Sequence, residues 1–215
     1  MTGRSTVGRQ GHLYNPAIDI LLVCTANQCR SPMAEGLLRR LLAESGATAE
    51  VGSAGLLPGG APATADAVAT VAGRGVDISG HVSRTLTGEL ATTTPLVIGM
   101  TRSHVREACV TFGGPAERTF TLKELVRRGE MAGARRDGES ASAWLARVGL
   151  GRRLLDLVGD DPTDDIADPV GRPRAVYEAT ADELEDLLTR LVRLLIGGPA
   201  PAATYPDPCT GYTRS

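Results

Sequence analysis

The sequence predicts an α/β fold. The expected architecture is a single three-layer domain whose central four-stranded parallel sheet carries helices on both faces. Three observations lead there. Short apolar runs alternate with longer amphipathic patterns, as βαβ units require. The chain has 215 residues and is 42% hydrophobic, enough for one domain with a full core. Its first apolar run ends at Cys24 and leads through a short loop into a helical pattern, and ligands of open α/β sheets bind beyond the carboxyl ends of the strands.

The elements follow in order. The first strand is expected at 18–24 and the first helix at 32–45, with Met33, Leu37, Leu38, Leu41 and Leu42 on one face and Gly46 at its stop. A second strand reads at 49–54, and a helix near 62–74 follows Gly59-Gly60. Residues 95–100 form the third strand, 102–112 a helix and 117–121 a short strand. The last helix covers 174–196, with Leu184, Leu187, Leu188, Leu191 and Leu195 facing the core. This places the domain at 17–197. Residues 1–16 are expected as a flexible extension without a signal-peptide core. Residues 198–215, rich in Pro, Ala and Thr, read as a disordered tail.

The loop Cys24–Arg30 carries the chemistry. Ser31 is a good N-cap residue, and Pro32 suits the first helical position. Unpaired amides at a helix start bear partial positive charge, and a tight loop there turns several of them inward as an anion nest. Arg30 adds a planar fork for two phosphate oxygens. Helix N-termini and cationic neighbours bring thiols to roughly pKa 3.5–7.5, so Cys24 is expected to react as the thiolate. A thiolate under a phosphate cradle is a nucleophile aimed at phosphorus, with Arg30 and the loop amides stabilising the transition state. Cys24 taken alone reads more plainly as a buried small hydrophobe. Strand, Cys-x5-Arg-Ser-Pro and helix together make the pattern specific.

The chemistry also requires an acid, because a poor leaving group departs from phosphorus slowly without a proton. Asp168 lies before Pro169, which pushes it out of helical geometry, and Gly171 marks a turn. Asp156, Asp160, Asp161, Asp164 and Asp165 lie close by, so the residues themselves leave this choice open.

Composition narrows the setting. The net charge is −2, and Lys123 is the sole lysine among many arginines, so no nucleic-acid partner is expected. No apolar run reaches a membrane span. His12, His81 and His104 show no zinc spacing with the four cysteines, so neither metal nor cofactor is expected. A catalytic thiol points to a reducing cytoplasm. Cys109 lies on an apolar helical stripe and is expected in the core.

The stretch Val23-Cys24-Thr25-Ala26-Asn27-Gln28-Cys29-Arg30-Ser31-Pro32-Met33-Ala34-Glu35 resembles the signature of the low-molecular-weight protein-tyrosine phosphatases. So do Gly52-Ser53-Ala54-Gly55, Asp77-Ile78-Ser79-Gly80-His81 and Asp168-Pro169. The resemblance implies a cysteinyl-phosphate intermediate on Cys24, phosphate binding by residues 25–31, and Asp168 as general acid and then base. It implies that Asn27, Ser31, Ser53 and His81 form a supporting hydrogen-bond network, and that Cys29 is able to shield Cys24 through a reversible disulfide. A packed loop thiol is the equal alternative for Cys29.

Against this family, residues 127–163 read as an insertion with short helices near 139–148 and 150–158. Its arginines make it either a solvated decoration or a grip for a phosphoprotein. The expected partner is a phosphorylated protein, with phosphotyrosine first. Val170-Gly171 stand where tyrosine-specific relatives place aromatics, and Trp144 is the ring on offer instead. Asp168-Pro169-Val170-Gly171 and Phe120-Thr121-Leu122-Lys123-Glu124 look more like a bacterial branch that includes protein-arginine phosphatases, which makes phosphoarginine the runner-up. Gln28 is larger than the small polar residue of that branch. An arsenate reductase would need further relay cysteines, and a non-catalytic phosphate-binding module would not need Cys24, Arg30 and Asp168 together.

Overall fold

The computed structural model describes residues 18–47, 49–153 and 162–197. Four strands, β1 (Ile20–Cys24), β2 (Val51–Gly55), β3 (Leu96–Gly99) and β4 (Thr119–Thr121), lie parallel in the order β2-β1-β3-β4. The register pairs Cys24 with Gly55 and Val23 with Gly99, so these carboxyl ends meet at one edge of the sheet. Among the described residues, seven α-helices cover it: α1 (Arg30–Glu44), α2 (Ala65–Ala72), α3 (Gly88–Thr93), α4 (Arg102–Val110), α5 (Leu122–Ala132), α6 (Ala141–Val148) and α7 (Arg174–Ile196).

Strand alternation sorts the core into two layers. Ile20 and Leu22 face the larger cluster, built with Met33, Leu37 and Leu38 of α1 and the leucine stripe of α7. Leu21, Val23, Ala54 and Val97 face a smaller one with Leu86, Ala91 of α3 and Ala108 of α4. All five leucines expected on the core face of α7 are buried. Each contributes about 1.5–3 kcal/mol by leaving water.

Two helices escape the sequence reading. Thr87 caps α3 by accepting from Leu90 N–H, and six residues are too few for a periodic signal. Thr121 caps α5, which buries Leu122, Leu125, Val126 and Gly129 and runs through the expected boundary at 127 to Ala132. The helix expected at 139–148 is α6, capped by Ser140. Most of the helix expected at 150–158, the extension 1–16, and the tail 198–215 with Tyr205, Cys209 and Tyr212 lie outside the described residues.

The arginines of the 127–163 stretch are largely occupied within the fold. Arg127 pairs with Asp164, Arg128 with Glu124 at 3.2 Å and Arg147 with Glu139 at 2.8 Å. Arg152 pairs with Glu124 at 2.7 Å and lies 4.4 Å from the centre of the Phe120 ring. Trp144 is fully buried, and its Nε1–H donates to Gly133 O at 3.0 Å, so it is a core residue and not a ring at a binding site. Cys109 is only half-buried, because α4 turns His104, Val105 and Ala108 inward instead.

Candidate active site

At the end of β1 the chain turns through Thr25–Cys29 into α1, and its carbonyls are tied outward. Thr25 O accepts from Leu56 N–H at 2.8 Å, Gln28 O from Thr64 N–H at 2.8 Å, and Asn27 O from His81 Nε2–H at 2.8 Å. Peptide planarity turns the opposite N–H groups toward the loop interior, the geometry of an anion nest. Asn27 has φ 54°, the one positive φ at a non-glycine among the described residues. Asn tolerates this left-handed conformation better than other side chains. Gly55 sits against the loop so closely that a Cβ there would lie 2.8 Å from Ala26 C and Asn27 N.

A polar network fixes that shape. Asn27 Nδ2 donates to Ser31 Oγ at 2.9 Å and to Ser53 Oγ at 2.7 Å, while Asn27 Oδ1 accepts from Arg84 N–H at 2.9 Å. Ser53 Oγ–H donates to Glu35 Oε2 at 2.5 Å. The four residues expected to support the loop, Asn27, Ser31, Ser53 and His81, thus share one set of bonds centred on Asn27. Glu35 and Arg84 complete it. Glu35 lies one turn after Ser31 within the signature, whereas Arg84 lies 57 residues from Asn27 and gives no linear signal.

One expected detail is corrected. Helix α1 begins at Arg30 with Cys29 at the N-cap position, not with Ser31 as cap and Pro32 first, and no side chain caps it. The Ser31 hydroxyl is engaged elsewhere, 3.0 Å from Cys24 Sγ and within the Asn27 network. The positive helix end is therefore left facing the loop.

Cys24 is buried at the loop floor. Arg30, 5% exposed, donates from Nη2 to Asp168 Oδ2 at 2.6 Å and to Thr25 Oγ1 at 3.3 Å, and from Nη1 to Ile166 O at 3.3 Å. Asp168, with 47% of its side chain exposed, reaches over from the loop before α7. Among the described aspartates of that stretch, Asp164, Asp165 and Asp168, it is Asp168 that meets Arg30. Thr25 Oγ1 also lies 3.0 Å from His104 Nε2, and His104 Nδ1 lies 2.8 Å from Thr101 Oγ1. Burial, helped by the nearby Arg30 charge, holds the His104 pKa at about 3, so the ring is neutral. Burial pushes the Cys29 thiol up to about 12, reinforced by Asp168 and Cys24. Ala26 and Gln28 are half-buried in the loop. Among the described residues no cluster of His, Cys, Asp and Glu is arranged to hold a metal ion.

The sequence profile of the low molecular weight phosphotyrosine protein phosphatases matches residues 19–134. The chain belongs to this phosphatase family. A protein-arginine-phosphatase of Bacillus subtilis is 33% identical over 180 residues, 83% of this chain and 97% of that protein. The low molecular weight protein-tyrosine-phosphatase Etp of Escherichia coli K12 is 41% identical over 103 residues, 48% of this chain and 66% of that protein. Among solved structures, a YwlE arginine phosphatase with its active-site cysteine changed to a phosphorylated serine superposes with a TM-score of 0.62. That chain is 32% identical, and the match covers 82% of this chain and 94% of that one. No helix among the described residues is long and apolar enough to cross a membrane.

Proposed function

We propose that this phosphatase hydrolyses phosphorylated proteins through a cysteinyl-phosphate on Cys24, with Arg30 holding the phosphoryl oxygens and Asp168 moving the proton. One observation carries this reading. The sulfur lies at the floor of an amide-lined loop, while Arg30 of that loop meets a half-exposed carboxylate from the far end of the chain. In the first step Cys24 Sγ bonds to phosphorus, the bond from phosphorus to the leaving atom breaks, and the Asp168 carboxyl protonates that atom. In the second step water attacks phosphorus and gives a proton to the Asp168 carboxylate. The S–P bond then breaks, and Ser31 Oγ–H donates to the departing sulfur.

For the substrate we place phosphoarginine first. A guanidine is a poor leaving group without a proton, and an acid held beside Arg30 meets that need. Val170-Gly171 follow the acid where a ring would stack, and the burial of Trp144 removes the ring that the sequence offered. The Bacillus relative matched over nearly its whole length is named for the same activity. Phosphotyrosine, first on the sequence alone, is the second reading and is favoured by the likeness to Etp.

The test compares kcat/KM on phosphoarginine, phosphotyrosine and phosphoserine peptides for the wild type and Cys24→Ser. Phosphoarginine should lead by about 10-fold or more, and the variant should be inactive. A lead for phosphotyrosine would exchange the two readings. Turnover surviving in Cys24→Ser would overturn the mechanism.

A further inference from the structure

The acid loop is anchored by an ion cluster around the buried Asp164, outside the reacting groups. Asp164, 3% exposed, closes a 3-10 turn at Pro162–Asp164 and is gripped on both oxygens. Arg127 of α5 donates from Nη1 to Oδ1 and from Nη2 to Oδ2, the latter at 3.2 Å, and Arg102 of α4 donates from Nη2 to Oδ2 at 3.2 Å. Burial alone would raise the Asp164 carboxyl, yet the bonds from Arg127 and Arg102 bring it below the usual carboxylate range. Next in the chain, Asp165 Oδ1 accepts from Arg102 N–H at 2.8 Å. Ile166 is buried, and its N–H donates to Met100 O at 2.8 Å. The loop is thus pinned at three successive residues, to the middle of α5, the start of α4 and Met100 just after β3.

Beyond Ile166 the restraint thins. Asp168 is held by Arg30 and by Val170 N–H, which donates to its Oδ1 at 3.2 Å. A phosphoryl group that takes the Arg30 fork competes with the Asp168 carboxylate for the same Nη2. The place of the acid is then set by its own loop, and a misplacement of about 1 Å is enough to slow proton transfer by orders of magnitude.

We infer that Asp164, clamped by Arg102 and Arg127, is a positioning residue that fixes where Asp168 delivers its proton. The inference rests on the assignment of Asp168 as the acid. It goes beyond the signature motifs, because it draws Arg127, at the start of the expected insertion, into control of the reaction.

The test exploits leaving groups. Nitrophenyl phosphate expels its phenolate with little help, whereas phenyl phosphate needs the proton. Asp164→Asn should lower kcat/KM on phenyl phosphate by roughly 10-fold, a fraction of what a general acid supplies, and leave nitrophenyl phosphate within about 2-fold. Asp168→Asn should show the same selectivity with a larger loss. If the Asp164 variant does not fold, as judged by circular dichroism, Arg127→Gln serves in its place with the same expectation. Equal losses on both substrates, or none on phenyl phosphate, would overturn the inference while leaving the Asp168 result standing. Absence of selectivity in Asp168→Asn would overturn the acid assignment and this inference with it.

Discussion

Replacing Asn27 by Ala tests the centre of the loop network. The substitution removes three side-chain hydrogen bonds, to Ser31, Ser53 and Arg84 N–H. At about 1 kcal/mol each they contribute roughly 3 kcal/mol. It also places Ala at the φ of 54°, where a left-handed conformation costs about 1 kcal/mol more. The expected destabilisation is about 4 kcal/mol, read by urea unfolding followed by circular dichroism. Asn27→Gly relieves the backbone and should lose about 1 kcal/mol less. Both variants remove the side-chain network that holds the loop from beneath, so kcat/KM on an aryl phosphate should fall by about 100-fold. An Ala variant within about 1 kcal/mol of wild type, with undiminished turnover, would refute the network as the source of the loop's shape. Equal stabilities for Gly and Ala would refute the backbone contribution.

Three further outcomes are expected. The fold keeps His104 neutral down to about pH 3, whereas an unfolded ring titrates near pH 6.5. Its contribution is therefore complete above about pH 6.5 and is lost as pH falls toward the folded value. His104→Gln should flatten the fall in stability below about pH 6.5, and an unchanged slope in urea titrations would count against this burial argument. The Cys29 thiol, pushed up to about 12, should resist iodoacetamide at neutral pH in the native protein, and peptide mapping that finds it alkylated would contradict its packing. Trp144→Ala should cost about 3–5 kcal/mol of stability while leaving kcat/KM on an aryl phosphate within about 2-fold. A selective rise in KM for a phosphoprotein would return Trp144 to the binding site.

Local sequence was sufficient where the chemistry is local. The signature from Cys24 to Glu35 places the proposed nucleophile, the arginine and the loop within one strand–loop–helix unit, because strand ends and helix starts obey short-range rules. The leucine spacing of α7 follows in the same way from the period of 3.6 residues. Those rules are weak for short elements. Six residues of α3 carry too little pattern, and the apolar residues of α5, Leu122, Leu125 and Val126, end just where the expected insertion begins, so its helix was cut in two. The arginines of that stretch read as a surface, because a sequence does not show which carboxylate each will meet.

By itself, then, the sequence determined the parallel α/β plan, the loop after β1 and the sulfur and guanidinium that it brings together, since each rests on neighbours within a few residues. Only the tertiary structure decided which aspartate meets Arg30, that Ser31 turns inward instead of capping α1, that Trp144 belongs to the core, and that Arg84 and His104 bond to the loop. Several of those decisions depend on contacts between distant segments, from 57 residues apart for Asn27 and Arg84 to 138 for Arg30 and Asp168. Packing and burial set such contacts, and no spacing along the chain encodes them.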